Sequence, residues 1–397
     1  MAAPMSNGRS ADSTPRARLA AMSVVIIGGG LMGLSAAFHL RRTDSSVPVT
    51  VFERAGVGAA ASGASAAGVR AMGRDPAERA LALESLRRWP ELDRELEGET
   101  RYRRDGGLRV AVDDVAWRAA PAWVGEQRAE GVPLELISDR SLQSLAPGLT
   151  PACLGGVHCA IDGQAEAMPT VLAFAAAARR LGARVEEGVA VSGLLIEHGR
   201  VVGVARADGT RVACDVAIMT AGAWSATQLA AHGVRLPLET RALQMLLTAP
   251  APKVLTQVLG CFDRKLSLKQ LGDGSYLIGG GWPALITDET DNRWTILDDS
   301  VRSSREVAGA IYPATAGVPL ARGWAGLEAF TPDGLPIIGS VPGLEGVFVA
   351  AGFSGHGFAL SPAVGDILAR LALGLDARET LWRGLRLDRL AREAVTT

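Results

Sequence analysis

The segment "SVVIIGGGLMGLSAAFHLRR" leaves this chain few ways to fold. Val24 to Ile27 is a short β-branched run, suited to a buried parallel strand. Gly28-Gly29-Gly30-Leu31-Met32-Gly33 follows as a GxGxxG, and Leu34 to Leu40 then reads as a helix. "VPVTVFER" supplies a second strand that ends on Glu53, twenty residues after Gly33. A GxGxxG alone is weak. Strand, glycines, helix, strand and an acidic residue in that order describe a dinucleotide-binding unit. Each position has a physical role. Gly28 permits the tight turn, Gly30 lets the backbone approach a pyrophosphate, and Gly33 lets helix and strand pack closely. Leu31 and Met32 open the helix, whose free N–H groups and partial positive charge favour phosphate. Glu53, with Arg54 beside it, ends the second strand; the carboxylate can accept ribose hydroxyls and disfavours a 2′-phosphate.

A chain of 397 residues can bury a large core and hold two domains. The formal net charge of -1 gives no nucleic-acid footprint. Four cysteines are too few for a disulfide scaffold, and "CLGGVHC" lacks the second ligand pair a structural zinc needs, so no metal is expected. Reduced thiols suit a cytoplasmic protein. Residues 1–22 read as a disordered tail without the apolar core of a signal peptide. No apolar run reaches the ~18 residues of a membrane span.

After the second strand comes "GVGAAASGASAAGVRAMG", almost all Gly, Ala and Ser. Its Ser62, Gly63, Ala64 and Ser65 can wrap an extended ligand with amides and small hydroxyls. Residues 76–95 read as helical, "RYRRDGGLRVAV" as a hairpin, and 113–132 as a helix. A further helix has Pro169 near its start and Gly182 past its end. A meander over 189–220 opens at Val189 and leads into "TAGAWS", whose Ala221, Gly222 and Trp224 form a second turn able to touch a nucleotide. From 236 to 320 the strands are longer and alternating, as in an antiparallel sheet. The chain then returns through "GWAGLEAFTPDGLPIIG" to "AAGFSGHGFALSP" and a helix after Pro362.

The expected fold is α/β, α+β overall, with a discontinuous Rossmann-like nucleotide domain on a parallel sheet and an antiparallel-sheet substrate domain. The boundaries read as 23–98, 150–235 and 321–397 for the first, and 99–149 and 236–320 for the second.

"IIGGGLMGLSAAFHL", "VFER", "SGASAAG", "DGQAEAMPTVLAFAAAARRLGA", "TAGAWS" and "GWAGLEAFTPDGLPIIG…AAGFSGHGFALSPAVG" come in an order that resembles the D-amino-acid oxidase superfamily of FAD enzymes. Within it the chain looks similar to the branch of glycine oxidase, sarcosine oxidase and the flavoprotein subunits of opine and hydroxyproline dehydrogenases. The resemblance implies FAD, held non-covalently because Trp324 to Phe330 contains no cysteine. It implies a loop of Gly352, Ser354, Gly355, His356, Gly357, Phe358 and Ala359 along the flavin ring, with backbone amides stabilising charge there. It implies oxidation of a C–N bond by hydride transfer, giving an imine that hydrolyses.

Two positions depart from the pattern: Glu328 stands where glycine oxidase-like members hold the substrate carboxylate with Arg, and Ala359 where sarcosine oxidase-like members carry Lys. Glu328 suits a substrate cation or a partner Arg. Arg70 is the first candidate for a substrate carboxylate, with Gln244, Lys269 and His356 as further pocket candidates. The expected partners are an amine or amino-acid substrate and either oxygen or an electron-accepting protein in a hetero-oligomer. A non-catalytic FAD-binding subunit is the alternative from a different class. An NAD-linked dehydrogenase would explain only the first fingerprint.

Overall fold

The computed structural model describes residues 22–391, so the expected tail over 1–22 lies outside the described residues except for Met22. Six strands make the nucleotide-side sheet, in the order Ile337–Ser340, Val347–Ala351, Val216–Met219, Val24–Ile27, Val49–Glu53 and Arg184–Glu187. All neighbours are parallel except the first pair. Val24–Ile27 is buried at every position, which is why it carries no alternation. The helix Leu31–Thr43 covers one face of the sheet. The chain's last long helix, Gly357–Ala372, packs along it so closely that a Cβ on Gly365 would stand 2.1 Å from Ser35 Oγ. The two ends of the chain thus share one core.

The meander is present as Val191–Glu197, Arg200–Arg206 and Arg211–Ala213. Its first turn uses His198 (φ 49°) and Gly199 (φ 78°), the two left-handed residues of a tight hairpin. Val216–Met219, next in sequence, leaves the meander and joins the parallel sheet beside Val24–Ile27.

A second sheet of ten strands is antiparallel apart from one pair. At its centre Glu239–Pro250 pairs with Leu320–Phe330, from Glu239 opposite Phe330 to Thr248 opposite Leu320. The pleat puts Trp324, Gly326 and Glu328 on one face with Arg241, Leu243 and Met245. That face meets the small-residue segment. A Cβ on Gly326 would stand 2.5 Å from Ala64 Cβ, and Trp324 Nε1 donates to the Ala64 carbonyl at 3.0 Å. The opposite face carries Gln244 and Leu246 and lies against the helix Asp298–Ile311.

Three expectations change. "RYRRDGGLRVAV" is not a hairpin: Gly107–Ala111 lies between Val258–Cys261 and Gly155–Cys159, both distant in sequence. The antiparallel sheet also crosses two of the boundaries drawn from sequence, because Gly155–Cys159 and Leu320–Phe330 are strands of it. The last helix begins at Gly357, not after Pro362. Proline cannot donate to the Phe358 carbonyl one turn back, and Ser361 Oγ donates to it instead at 3.0 Å.

Candidate functional site

A cleft of 890 Å³ runs between the two sheets, from Glu53 and Arg54 past the Gly28–Met32 turn to Glu328 and the Phe353–Gly357 loop. The first turn is built as its sequence requires. Gly28 has φ +113°, and a Cβ there would stand 2.5 Å from the Thr220 carbonyl oxygen. A Cβ on Gly33 would stand 2.1 Å from the Gly28 carbonyl oxygen, so this glycine serves helix–strand packing and does not line the cleft. Gly30 faces the cleft and Ser62, whose Oγ accepts the Leu31 N–H at 3.0 Å. Gly30 caps the helix with no side-chain bond of its own. Leu31 and Met32 line the cleft beside it.

Glu53 is fixed at the same end: Oε2 accepts the Gly29 N–H at 2.7 Å and Oε1 the Ala55 N–H at 2.9 Å. The Arg54 guanidinium lies 3.7 Å from the centre of the Trp224 ring, a cation–π platform, and both residues line the cleft. Val189, Ala221 and Gly222 line the same end. Gly63, Ala64 and Ser65 form the wall behind the lining. Gly63 packs against Gly58 and Met168, the Ala64 carbonyl takes Trp324, and Ser65 Oγ accepts the Ala67 N–H at 3.0 Å.

The C-terminal loop needs its unusual backbone. Gly352, Ser354 and Gly355 have φ of 69°, 49° and 86°. The Ser354 N–H donates to the Ala329 carbonyl at 3.1 Å, and Ser354 Oγ accepts the Thr331 N–H at 3.3 Å. Ser354, Gly355 and Gly357 line the cleft, while Gly352 packs against Thr331 and Leu238. Phe358 and Ala359 do not reach it, because the helix turn carries them into the core. Phe358 stacks on Trp89 at 5.3 Å, and the Ala359 carbonyl accepts Ser85 Oγ at 2.7 Å and Trp89 Nε1 at 2.9 Å.

The substrate candidates separate. Glu328 lines the cleft beside Gly355, and among the described residues it has no ion-pair partner. Burial raises its carboxyl to about 7, opposed only by the Gly355 N–H. His356 lines a separate pocket of 350 Å³ on the other side of the loop, with Nδ1 3.0 Å from Glu78 Oε2. Burial and then Arg74 lower its pKa, and Glu78 opposes them. Arg70 sits near these groups without lining the cleft; burial and then Arg74 lower its guanidinium to about 10.

Gln244 and Lys269 are not brought to the cleft. Gln244 is on the wrong face of its strand and donates to Ser304 Oγ at 3.3 Å. Lys269 is 2 % exposed, and its Nζ donates to the Ala165 carbonyl at 2.7 Å. Burial lowers its ammonium to about 7.

Sequence reasoning passed over Thr220, whose Oγ1 donates to the carbonyls of Ile27 at 3.0 Å and Gly28 at 3.2 Å and so clamps the glycine turn. Its place at the carboxyl end of a parallel strand was a usable signal. Asn292, which lines the cleft and donates to the Ala59 carbonyl at 3.0 Å, gave none. Among the described residues no three His, Cys, Asp or Glu side chains gather as a metal site, and no helix is long and apolar enough to cross a membrane.

A dinucleotide fits this cleft. Glycines stand where a Cβ would meet backbone, a helix N-terminus whose N-cap Gly30 has no side chain opens onto it, a carboxylate marks one end, and a glycine loop lines the other.

Residues 23–371 match the FAD dependent oxidoreductase family. The chain is 29% identical over 361 residues to a glycine oxidase of Pseudomonas putida, covering 89% of this chain and 95% of that one. It is 24% identical over 353 residues to a sarcosine oxidase subunit beta of Rhodobacter capsulatus, covering 88% and 84%. Among solved structures, L-proline dehydrogenase from P. horikoshii superposes with a TM-score of 0.86 at 27% identity, over 94% of this chain and 98% of that one. With the match spanning the cleft from the first glycine turn to the last helix, the chain belongs to the FAD dependent oxidoreductase family and is an FAD enzyme.

Proposed function

We propose that this enzyme oxidises the C–N bond of an amino acid or secondary amine. The observation that carries the reading is the Glu328 carboxyl, half-buried in the cleft beside Gly355 and free of any ion-pair partner among the described residues. Such a group invites a cation, and a substrate ammonium is the cation an amine oxidation must bind. A carboxyl raised to about 7 also takes a proton from that ammonium near neutral pH, leaving the amine lone pair free. FAD, when bound, supplies the two-electron acceptor for the hydride that leaves the amine carbon. The substrate imine then takes up water and splits to a carbonyl compound and an amine.

The other residues bind and orient. Gly30, Leu31 and Ser62 would hold the pyrophosphate, Glu53 the ribose, and the Arg54–Trp224 platform the neighbouring end. The Gly355 and Gly357 amides would face the flavin ring. Arg70 and His356 do not line the cleft that holds Glu328, so neither is assigned to a substrate carboxylate. The proposed domain division assigns nucleotide binding to the parallel sheet and substrate binding to the antiparallel one.

A second form of the same reading hands the electrons to a partner protein and not to oxygen. It is supported by relatives described as subunits, the sarcosine oxidase subunit beta and a hydrogen cyanide synthase subunit HcnC of Pseudomonas aeruginosa.

The test is anaerobic bleaching of the bound flavin by glycine, sarcosine, D- and L-proline, hydroxyprolines and opines. The expected result is bleaching by one class of amine. Rapid recolouring in air assigns an oxidase, and slow recolouring assigns a dehydrogenase that needs its partner. A yellow protein that no amine bleaches, alone or with its partner, overturns the reading in favour of a non-catalytic FAD-binding subunit.

A further inference from the structure

One buried charge has no part in the chemistry above. Glu78 lies in the helix Pro76–Arg88 and is 0% exposed. Its Oε2 is 3.0 Å from His356 Nδ1 and 4.0 Å from Arg74 Nη1. Oε1, Oε2 and His356 Nδ1 all lack a partner in full hydrogen-bond geometry among the described residues, so the 3.0 Å approach of Oε2 to Nδ1 is a close polar contact. A carboxylate with so few partners is an expensive way to fill a core position, and an apolar side chain would pack there at lower cost. Burial pushes this carboxyl up, but the His356 contact and Arg74 outweigh it and hold the group below the ordinary carboxylate range.

What the charge touches is informative. His356 is the N-cap of the helix Gly357–Ala372, and its N–H donates to the Phe353 carbonyl at 2.8 Å. Its chain neighbours Gly355 and Gly357 both line the cleft. The loop before it is held at positive φ through Gly352, Ser354 and Gly355, a conformation that persists only where surroundings enforce it. Ser354 is tied to Thr331 on one side. The imidazole is the tie on the other side, to a different element.

We propose that Glu78 is a positioning residue: its carboxylate, in polar contact with the Nδ1 side of the ring, holds the His356 imidazole in place, and through that ring keeps the Gly355 and Gly357 amides turned toward the cleft. The inference rests on the reading of this loop as the wall that faces the flavin. Glu78 touches neither the cleft nor a substrate, so it acts through His356 alone.

The experiment is a dye-coupled reductive titration of the holoenzyme, which reads the flavin midpoint potential without any substrate. Glu78→Ala, Glu78→Gln, His356→Ala and the Glu78→Ala/His356→Ala double variant are compared with the wild type. Glu78→Ala is expected to make the potential more negative, because amides no longer held in place stabilise the reduced cofactor less. Glu78→Gln keeps a polar group of the same shape beside Nδ1 and is expected to retain most of the wild-type value. The double variant is expected to shift no further than the larger single shift, the mark of two groups acting as one.

An unchanged potential in Glu78→Ala, or shifts that add, overturns the proposal. Should Glu78→Ala fail to fold, His356→Ala breaks the same contact from its more exposed side, and an unchanged potential there overturns it equally. A wrong substrate class would surface in the amine panel and leave these potentials untouched, so the two failures are distinguishable.

Discussion

At the scale of single residues, Glu328 carries the most weight and gives a prediction with a definite sign. Burial raises its carboxyl from 4.5 to about 7 in the folded chain. Between those values the folded chain holds a proton that the unfolded chain has released. Stability therefore falls as pH rises through that window and stays at the lower level above it. Glu328→Gln stays uncharged throughout. Its stability is expected to match the wild type near pH 5 and exceed it at pH 8, by at most about 3 kcal/mol. Denaturant midpoints of both proteins at the two pH values, without substrate, check this. Parallel pH dependences would show that Glu328 meets a partner cation in solution, and the proposed substrate contact would lose its ground. The same variant is expected to bind FAD normally and to lose its rise in kcat/KM through neutral pH, since Gln can neither hold nor discharge an ammonium.

At the scale of elements, legibility followed the range of the interactions. The turn Gly28–Gly33 could be read from sequence because its constraints are local: a Cβ at Gly33 collides with a carbonyl only five residues back. The hairpin at His198-Gly199 was equally local. The strand Gly107–Ala111 was misread because its partners come from residues 155–159 and 258–261, and nothing in its own residues names them. Gln244 failed for a subtler reason. It does lie on a strand that borders the site, but strands alternate, and the register against Leu320–Phe330 assigns Leu243 and Met245 to the cleft side. Phe358 and Ala359 failed by the helical counterpart of that argument, a few residues of rotation past Gly357.

Lys269 belongs at this scale too, since a strand interior fixes its environment. Burial lowers its ammonium from 10.5 to about 7. Between those values the unfolded chain carries a proton that the folded chain lacks, so stability climbs as pH rises from about 7 toward 10.5. Lys269→Met deletes the titration and the bond to Ala165. Its advantage over the wild type is expected to shrink, or its deficit to grow, between pH 7 and 9.5, as chemical denaturation at the two pH values will read. A pH-independent difference would mean that the ammonium finds water or a carboxylate in the folded protein.

At the scale of the whole molecule, the cleft is walled by segments from nearly the full length of the chain. Gly28, Ser62, Ala221, Asn292, Glu328 and Gly355 all line it. The turn, the small-residue segment and the C-terminal loop come from different elements, held together at their far ends by the shared core of the first and last helices. A dinucleotide lying across them adds contacts to every wall at once. Anything that binds only the folded state stabilises it by mass action, about 2.7 kcal/mol when the free ligand is a hundredfold above its Kd. Removal of FAD is therefore expected to lower the thermal midpoint by several degrees, and readdition to restore it in a concentration-dependent way. The loss should be felt unevenly. The core strand Val24–Ile27 is buried within the protein, whereas Gly58–Ser62 and Thr290–Arg293 line the cleft and are expected to lose order when it is empty. Limited proteolysis of the FAD-free protein is expected to cut first in those two places, and FAD to protect both together. Protection of one without the other would mean that the ligand touches a single wall, and the cleft would then be two sites and not one.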